Sequence, residues 1–248
     1  MGKTPLSIKN KKIRLIELFA GIGSQLKALQ NIGADVQSWK VIEWDKYAIA
    51  SYNAIFGTDY KTQDICKIHA SDLEIADTDK YTYIMTYSFP CTDLSVAGKM
   101  AGMSKADWEK GESTRSGLLW EVERLLKECD LLPQILLMEN VPQVIGNKNF
   151  EDFKLWLNFL ESKGYTNKYQ LLNRKDYGVA QNRNRCFMVS WLGDHTYKFP
   201  EPIPLELRLK DYLEDEVDEK YYLNNSYIER LRADDEFMRR VREEIRGE

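Results

Sequence analysis

Residues 13–33 read IRLIELFAGIGSQLKALQNIG, and this stretch decides the fold. It begins with a short run containing β-branched residues, Ile13 to Leu18, and passes into the glycine turn Phe19-Ala20-Gly21-Ile22-Gly23. After the turn, apolar residues recur at helical spacing, with Ser24 placed as the N-cap and Gly33 placed to end the helix. The stretch therefore predicts a strand, a tight turn and a helix, which is the opening unit of an alternating α/β fold.

Further strands and helices alternate along the chain. The patterns predict strands at 36–42, 83–87, 135–138 and 186–191, and helices at 47–56, 118–129 and 150–162. Because strands connected through helices pair in parallel, the predicted fold class is α/β, with a doubly wound, mostly parallel sheet and helices on both faces.

A proline-rich boundary follows these elements. Three prolines fall between residues 200 and 204, and a highly charged tail comes after them. We therefore expect residues 1–200 to form one domain and residues 201–248 to form a charged extension. Within the extension, residues 217–223 favour a short strand and residues 225–246 favour one or two charged helices.

Composition excludes several classes of protein. The 248 residues are 43% hydrophobic, which allows a sizeable core, and no apolar run approaches the ~20 residues of a membrane span. The four cysteines lie far apart and there are only two histidines, so neither structural zinc nor a disulfide framework is expected. The start lacks the apolar stretch of a signal peptide, so we expect a cytoplasmic protein. With a net charge of −4, binding to DNA needs a local basic face or a partner that supplies one.

The glycine turn and the acid after the second predicted strand suggest a site for a nucleotide-like ligand. Gly21 and Gly23 allow the backbone to pass close to a ligand, although the dinucleotide fingerprint is incomplete. Glu43 follows about 20 residues later, where a carboxylate is placed to bond ribose hydroxyls. Trp44 is placed to stack on adenine or to pack in the core. Asp64 is placed to reach an adenine amino group from a third strand end, or to cap a loop.

Cys91 follows Pro90 just past the third predicted strand, at the sheet edge where such folds bind ligands. Most lone cysteines are buried and inert. We interpret Cys66, Cys129 and Cys186 as structural. The preceding proline and the glycine-rich loop that follows favour exposure of Cys91 instead. A thiol in a reducing compartment stays available as a thiolate, so Cys91 is a candidate nucleophile.

Charged residues accompany two further strands. Glu139 follows the apolar run 135–138, so it either points into the same crevice as Cys91 or is a surface acid. Arg183 and Arg185 alternate at a strand entrance and are expected to face the same side. Paired arginines suit a phosphate or a pyrimidine O2, and a solvated edge-strand pair is the alternative. With the cysteine, these residues suggest chemistry on a nucleobase.

Taken in order, these segments resemble the DNA (cytosine-5)-methyltransferase family across residues 13–200. The matching blocks are Phe19-x-Gly21-x-Gly23, Glu43-Trp44-Asp45, Pro90-Cys91, Glu139-Asn140-Val141 and Gln181-x-Arg183-x-Arg185. Five blocks in the family's order make the resemblance specific, and residues 88–95 and 114–121 look most like the mollicute-type CpG methyltransferases. The resemblance implies the Rossmann-like fold of S-adenosylmethionine-dependent methyltransferases, with residues 1–200 as the catalytic domain.

The resemblance implies methyl transfer from S-adenosylmethionine to carbon 5 of a cytosine flipped out of duplex DNA, with S-adenosylhomocysteine as the product. In that chemistry Cys91 adds to C6 of the base, and Glu139 holds N3 and the exocyclic amine. Arg185 contacts the pyrimidine O2 and steadies Glu139, while Arg183 lies nearer the backbone phosphate. Residues 98–117 match the family's closing loop. The positions that match cofactor-lining residues are Phe19, Gly21, Gly23, Glu43, Trp44, Asp64, Pro90 and Leu118.

The resemblance also implies a partner. After Arg185 the family continues into a variable target-recognition domain and an asparagine-containing block that completes the cofactor site, and residues 221–248 match neither. We expect either a second polypeptide that carries those parts, as in two-subunit members of the family, or a fragment, and we favour the second polypeptide. Thr92 also departs from the glutamine of many members, so the filling of the space left by the flipped base is expected to differ.

Two other functions stay open at this point. One is a catalytically silent subunit that binds cofactor or partner, and the intact chemical blocks argue against it. The other is an RNA cytosine-5 methyltransferase, and the missing Cys-Phe-Thr sequence of that branch argues against it. Duplex DNA and a second subunit are therefore the expected partners, with no membrane and no metal, in a bacterial or phage-encoded protein.

Overall fold

A computed structural model describes residues 11–94, 102–112 and 114–246, with side chains through residue 240. The chain divides into two compact units, of which one ends at Leu205 and the other begins at Glu206. The proline-rich stretch therefore lies at the end of the first unit. The assignment of residues 1–200 to catalysis and 201–248 to an extension stays a prediction.

The first unit is built on a six-stranded sheet. Its strands are β1 (Lys12–Leu18), β2 (Val36–Ile42), β3 (Tyr81–Tyr87), β4 (Ile135–Asn140), β5 (Tyr165–Asn173) and β6 (Asn184–Leu192). The order across the sheet is β2-β1-β3-β4-β6-β5. The pairings β1–β2, β1–β3 and β3–β4 are parallel, whereas β4–β6 and β5–β6 are antiparallel. The predicted α/β fold with a mostly parallel sheet is confirmed, and the antiparallel edge with β5 was not predicted.

Helices cover both faces of this sheet. They are α1 (Ser24–Asn31), α2 (Lys46–Phe56), α3 (Lys105–Glu109), α4 (Leu119–Glu128) and α5 (Phe150–Ser162). On one face, Leu26 of α1 and Tyr52 of α2 pack in a cluster with Leu15 of β1. On the other face, Leu125 of α4 and Trp156 of α5 belong to the larger core cluster of the sheet. This two-sided burial explains why the central strands are nearly continuous apolar runs.

The start of α1 differs from the prediction that Ser24 is its N-cap. Gly23 is the N-cap residue, in the left-handed conformation with φ +82°, and no side chain of the turn caps the helix. The buried carboxylate of Glu17 on β1 accepts a hydrogen bond from the backbone N–H of Leu26 at 3.3 Å. The strand beneath the helix therefore supplies the acceptor that a capping serine usually provides.

The second unit also departs from one prediction. Residues 217–223 contain a short 3-10 helix, Glu219–Tyr221, where a strand was predicted. The side chains of this stretch are exposed and belong to no sheet among the described residues, so no neighbouring strand is there to fix an extended conformation. Two charged helices follow, α6 (Asn225–Ala233) and α7 (Asp235–Arg246), as predicted.

Part of the predicted closing loop at 98–117 lies within the described residues. Residues 98–101 and 113 lie outside the described residues, and the rest includes the short helix α3.

Among the described residues, no helix is both long and apolar enough to cross a membrane. The same residues contain no group of three or more His, Cys, Asp and Glu side chains that could hold a metal ion.

Candidate active site at the carboxyl edge of the sheet

A cavity of about 420 Å³ opens where β1, β2 and β3 end. Its volume lies within the range of roughly 300–1,000 Å³ that is typical of small-molecule sites. Six of the predicted cofactor residues line this cavity: Phe19, Glu43, Trp44, Asp64, Pro90 and Leu118. The position agrees with the rule that open α/β sheets bind ligands at the carboxyl ends of their strands.

Glu43 is held firmly at the rim of this cavity. Its Oε2 accepts a hydrogen bond from the backbone N–H of Gly21, and its Oε1 accepts one from Asp45, both at 2.9 Å. The backbone N–H of Gln63 donates to the carbonyl oxygen of Glu43 at 2.8 Å. Because each carboxylate oxygen has a second lone pair, Glu43 can still accept hydroxyl donors from a ligand.

The two glycines of the turn do not line the cavity, and each has a different role. Gly21 donates its N–H to Glu43 and has φ +57°, with open space where a Cβ would lie. At Gly23 a Cβ would lie 2.4 Å from the ring of Phe56 and 2.6 Å from the ring of Tyr52. Gly23 is therefore required by the packing of α2. Phe19, also at positive φ, is the residue of the turn that reaches the cavity.

The sequence left two interpretations open for Trp44, stacking on a ligand or packing in the core, and two for Asp64, contact with a ligand from a strand end or capping of a loop. The side chain of Trp44 is 72% exposed, so it is not a core aromatic and its ring is accessible beside the cavity. Asp64 is not at a strand end, because it lies in the irregular segment between α2 and β3. Its Oδ1 accepts the backbone N–H of Cys66 at 3.0 Å, so it caps a turn and also lines the cavity.

Cys91 lies four residues past the end of β3, as a half-buried free thiol. Ser116, which is fully buried, holds the backbone on both sides of it. The Ser116 hydroxyl donates to the carbonyl oxygen of Pro90 at 2.7 Å and accepts the N–H of Asp93 at 3.3 Å. Ser116 lies in the segment 114–121 that the resemblance singled out, but nothing in its spacing indicated that this serine would hold the cysteine loop.

Glu139 and Arg185 meet across the antiparallel strands β4 and β6. Arg185 Nε lies 3.0 Å from Glu139 Oε1, and both side chains are largely shielded from solvent. Arg183 does not share this position. It precedes β6, its side chain is exposed, and its backbone N–H donates to Asn173 Oδ1 at 3.0 Å. The prediction that Arg183 and Arg185 face the same side assumed that both lie in a strand, and Arg183 lies just before β6.

Asn140 connects Glu139 to the cysteine loop. Tyr87 of β3 is in register with Met138 of β4, so the two segments leave the sheet side by side. The buried amide of Asn140 donates from Nδ2 to the carbonyl oxygen of Phe89 at 3.0 Å. The structure therefore brings Cys91, Glu139 and Arg185 to one edge of the sheet, next to the cavity that Pro90 lines.

Other residues line the cavity without having been predicted. They are Ile42, Gln63, Ile65, Ser88 and Arg115. Ile42 and Ser88 lie close to the predicted site residues Glu43 and Pro90 in the sequence, so they could have been predicted from that proximity. Gln63, Ile65 and Arg115 belong to irregular segments, where no periodic pattern indicates which side chain faces inward.

The fold and the cavity define this chain as an α/β protein of the Rossmann-like methyltransferase class. Among solved structures, it is similar to the Dnmt2 methyltransferase of S. pombe, with a TM-score of 0.67 and 21% identity over 90% of this chain and 66% of that one. Residues 13–246 match the C-5 cytosine-specific DNA methylase family. The chain belongs to this family.

Two curated relatives give the range of similarity. The orphan methyltransferase M.SssI of Spiroplasma monobiae is 33% identical over 88% of this chain and 69% of its own length. The type II methyltransferase M2.ScrFI of Lactococcus lactis subsp. cremoris is 42% identical over 58% of this chain and 38% of its own length. The chain thus spans between 38% and 69% of the length of these two relatives.

Proposed function

We propose that this chain transfers a methyl group from S-adenosylmethionine to carbon 5 of a flipped cytosine in duplex DNA, with Cys91 as the covalent nucleophile. The observation that carries the proposal is the grouping of three strand ends. Cys91 follows β3, Glu139 is the last residue but one of β4, and Arg185 near the start of β6 pairs with Glu139 at 3.0 Å. The chain belongs to the C-5 cytosine-specific DNA methylase family, and the reaction expected of this family assigns a role to each of these three residues.

The cavity fits the proposed cofactor. Glu43 presents a carboxylate for the ribose hydroxyls, the accessible ring of Trp44 suits stacking on adenine, and Asp64 has an oxygen for the adenine amino group. Phe19, Pro90 and Leu118 supply the apolar walls. When bound, S-adenosylmethionine supplies an electrophilic methyl group to the pyrimidine. Gly21 serves the same site indirectly, through its hydrogen bond to Glu43.

The residues at the sheet edge then have distinct roles. The thiolate of Cys91 forms a bond to C6 of the cytosine, and a proton from Glu139 reaches N3, so that no full negative charge builds up on the ring. Carbon 5 becomes nucleophilic and takes the methyl group. Loss of the C5 proton to a base and breakage of the sulfur–C6 bond return Cys91 as a thiolate, and N3 gives its proton back to Glu139.

Arg185 and Arg183 act on different parts of the nucleotide in this proposal. Arg185 fixes the Glu139 carboxyl and has further N–H donors for the pyrimidine O2. The exposed Arg183 is placed for the DNA backbone, where a guanidinium binds a phosphate through parallel hydrogen bonds. The extraction of the base costs a few kcal/mol of unstacking, which contacts in the pocket offset.

Selection of the target sequence is proposed to require a further protein surface. The relatives extend beyond the part that this chain matches, and base contacts in a DNA groove are what specify a sequence. We keep a second polypeptide with a target-recognition domain as the proposed source. The names of several relatives, type II methyltransferases, favour a role in bacterial restriction and modification.

Covalent trapping tests the proposal. The chain, alone and together with a second polypeptide that carries a target-recognition domain, is incubated with S-adenosylmethionine and duplex DNA that contains 5-fluorocytosine. Because fluorine at carbon 5 cannot leave as a proton does, an adduct persists on a denaturing gel. We expect the adduct with the unmodified protein and its loss in Cys91→Ala.

Cys66→Ala is the matched control, because Cys66 is an exposed thiol next to the cavity-lining segment. It is expected to trap DNA as the unmodified protein does. An adduct that survives Cys91→Ala, or that is never formed by the unmodified protein with its partner, contradicts the proposed nucleophile.

A further inference from the structure

One wall of the cavity is a segment without regular secondary structure. Between the end of α2 at Phe56 and residue 70 the chain forms neither helix nor strand, yet Gln63, Asp64 and Ile65 all line the cavity. Backbone carbonyls in such a segment have no ladder partners, and other groups must bind them. At one end the segment is held by the hydrogen bond from the N–H of Gln63 to the carbonyl of Glu43.

At the other end, the segment is held by Arg124 of α4. Its Nη2 donates to the carbonyl oxygens of Ile65 and Ile68, both at 3.0 Å. These carbonyls flank the turn that Asp64 caps, so the guanidinium binds the back of the turn whose front lines the cavity. The side chains of Ile65 and Ile68 are buried, which leaves the segment little freedom once the carbonyls are bound.

Two carboxylates of the same helix fix the plane of this guanidinium. Arg124 Nε donates to Glu121 Oε2 at 2.7 Å, and Nη1 donates to Glu128 Oε1 at 2.8 Å. The second oxygen of Glu128 accepts the backbone N–H of Ala70 at 3.1 Å, just beyond the segment. Arginine suits this arrangement because its donors form a rigid planar fork.

We propose that Arg124 is a positioning residue for the cofactor cavity, which holds the Ile65 and Ile68 carbonyls so that Asp64 and Gln63 face the ligand. This inference rests on the proposed use of the cavity for S-adenosylmethionine. Arg124 itself does not line the cavity, so it acts through the segment. An arginine that only stabilised α4 through its two ion pairs would affect helix stability and leave the cavity wall unchanged.

The experiment compares Arg124→Lys with Lys127→Gln in the full chain. Lysine keeps the positive charge beside Glu121 and Glu128 but lacks the fork needed to bind both carbonyls. Lys127→Gln removes a different ion pair of the same helix, between Lys127 and Glu123, and touches nothing in the segment. Two quantities are measured: amide hydrogen exchange over residues 63–69, and the Kd of S-adenosylhomocysteine by calorimetry.

In Arg124→Lys we expect faster exchange over residues 63–69 and a Kd that rises about tenfold, which corresponds to loss of one charge-assisted hydrogen bond. In Lys127→Gln we expect neither change. Asp64→Ala is expected to raise the Kd less in the Arg124→Lys background than in the unmodified chain, because the segment is then already released. This coupling distinguishes positioning from a general loss of stability.

Unchanged exchange and an unchanged Kd in Arg124→Lys would overturn the inference, as would equal effects of both variants. If the unmodified chain binds no S-adenosylhomocysteine, the proposed cofactor site fails instead, and the exchange measurement still decides whether Arg124 holds the segment. Arg124→Gln, which removes the charge, is the second variant and is expected to show a larger change in both quantities.

Discussion

Glu17→Gln is expected to stabilise the protein at neutral and basic pH and to flatten the pH dependence of its stability. Glu17 is fully buried beneath the glycine turn. Its Oε2 accepts a hydrogen bond from the Tyr52 hydroxyl at 2.6 Å, and its Oε1 accepts the N–H of Leu26 at 3.3 Å. Burial raises the pKa of this carboxyl from its ordinary 4.5 to about 7, since the two hydrogen bonds lower the pKa by less.

The sign of the effect follows from proton binding. Between pH 4.5 and pH 7 the folded protein keeps a proton on Glu17 that the unfolded chain has released, so the free energy of unfolding falls as the pH rises. The stabilising contribution is fully present below pH 4.5 and is lost by about pH 7. A difference of about 2.5 pH units, at about 1.4 kcal/mol each, corresponds to between about 3 and 4 kcal/mol.

Glutamine fits the same position without this dependence. Its amide oxygen can accept the N–H of Leu26, and its Nε2 can donate to the Tyr52 oxygen while the Tyr52 hydroxyl turns toward Ser38 Oγ, 2.9 Å away. Burial also keeps the pKa of Tyr52 well above its usual range, so Tyr52 stays a neutral hydroxyl. At pH 8 the variant is expected to be more stable by about 2 kcal/mol, after allowance for weaker neutral hydrogen bonds.

Urea unfolding followed by tryptophan fluorescence at pH 5 and pH 8 measures this difference. Glu161→Gln, which changes an exposed carboxyl on α5, is the control and is expected to behave like the unmodified protein. If the unmodified chain and Glu17→Gln lose the same free energy of unfolding between pH 5 and pH 8, the buried carboxyl is not the source of the dependence and the reasoning is refuted.

Four further substitutions test the turn, the cavity and the sheet edge. Gly23→Ala is expected to lower the free energy of unfolding by about 3 kcal/mol, because its Cβ would lie 2.4 Å from an aromatic ring of α2. Gly21→Ala, with open space at its Cβ, is expected to lose about 1 kcal/mol in the same urea experiment, and equal losses would contradict the packing argument. Trp44→Ala is expected to raise the Kd of S-adenosylhomocysteine about tenfold without a change in unfolding midpoint, since an exposed ring contributes little to the core. Arg185→Lys is expected to slow adduct formation on 5-fluorocytosine DNA about tenfold, because a single ammonium orients Glu139 less well than the guanidinium does, and an unchanged trapping rate would remove Arg185 from the site.

Elements with strong periodicity were predicted closely. The predicted strand at 36–42 and helix at 150–162 have the same bounds as β2 and α5. In α5 the buried residues Phe153, Trp156 and Leu160 recur at helical spacing, and β2 ends at the buried pair Val41 and Ile42. Strand β5 was missed, since it lies at the antiparallel edge of the sheet and its residues, YTNKYQLLN, mix polar and apolar side chains on both faces. The extended conformation of β5 is fixed by its pairing with β6, and a single sequence does not contain that information.

The site residues that could be predicted from the sequence are those whose side chains lie at or just past the end of a strand. Glu43, Cys91 and Glu139 each follow an apolar run, so the sheet alone brings them to one edge. Residues that act through irregular segments gave no such signal. Ser116 binds Pro90 across 26 positions, and Arg124 binds Ile65 across 59, and only the folded chain relates them.

The residues that shape this edge are mostly buried and polar, and each is bound on more than one side. Asn140 binds the loop before Cys91, Ser116 binds the loop on both sides of it, and Glu17 connects α1 and α2 beneath the glycine turn. An apolar side chain at these positions would pack without difficulty but would not fix a loop. The raised pKa of Glu17 means that the fold loses stability at neutral pH in order to keep a carboxyl there. Because glutamine can keep the hydrogen bonds to Leu26 and Tyr52, Glu17→Gln is expected to gain stability while α1 and α2 stay in place, and calorimetry is expected to give an unchanged Kd for S-adenosylhomocysteine. A weakened affinity would mean that the charge of Glu17, and not only its hydrogen bonds, serves the site.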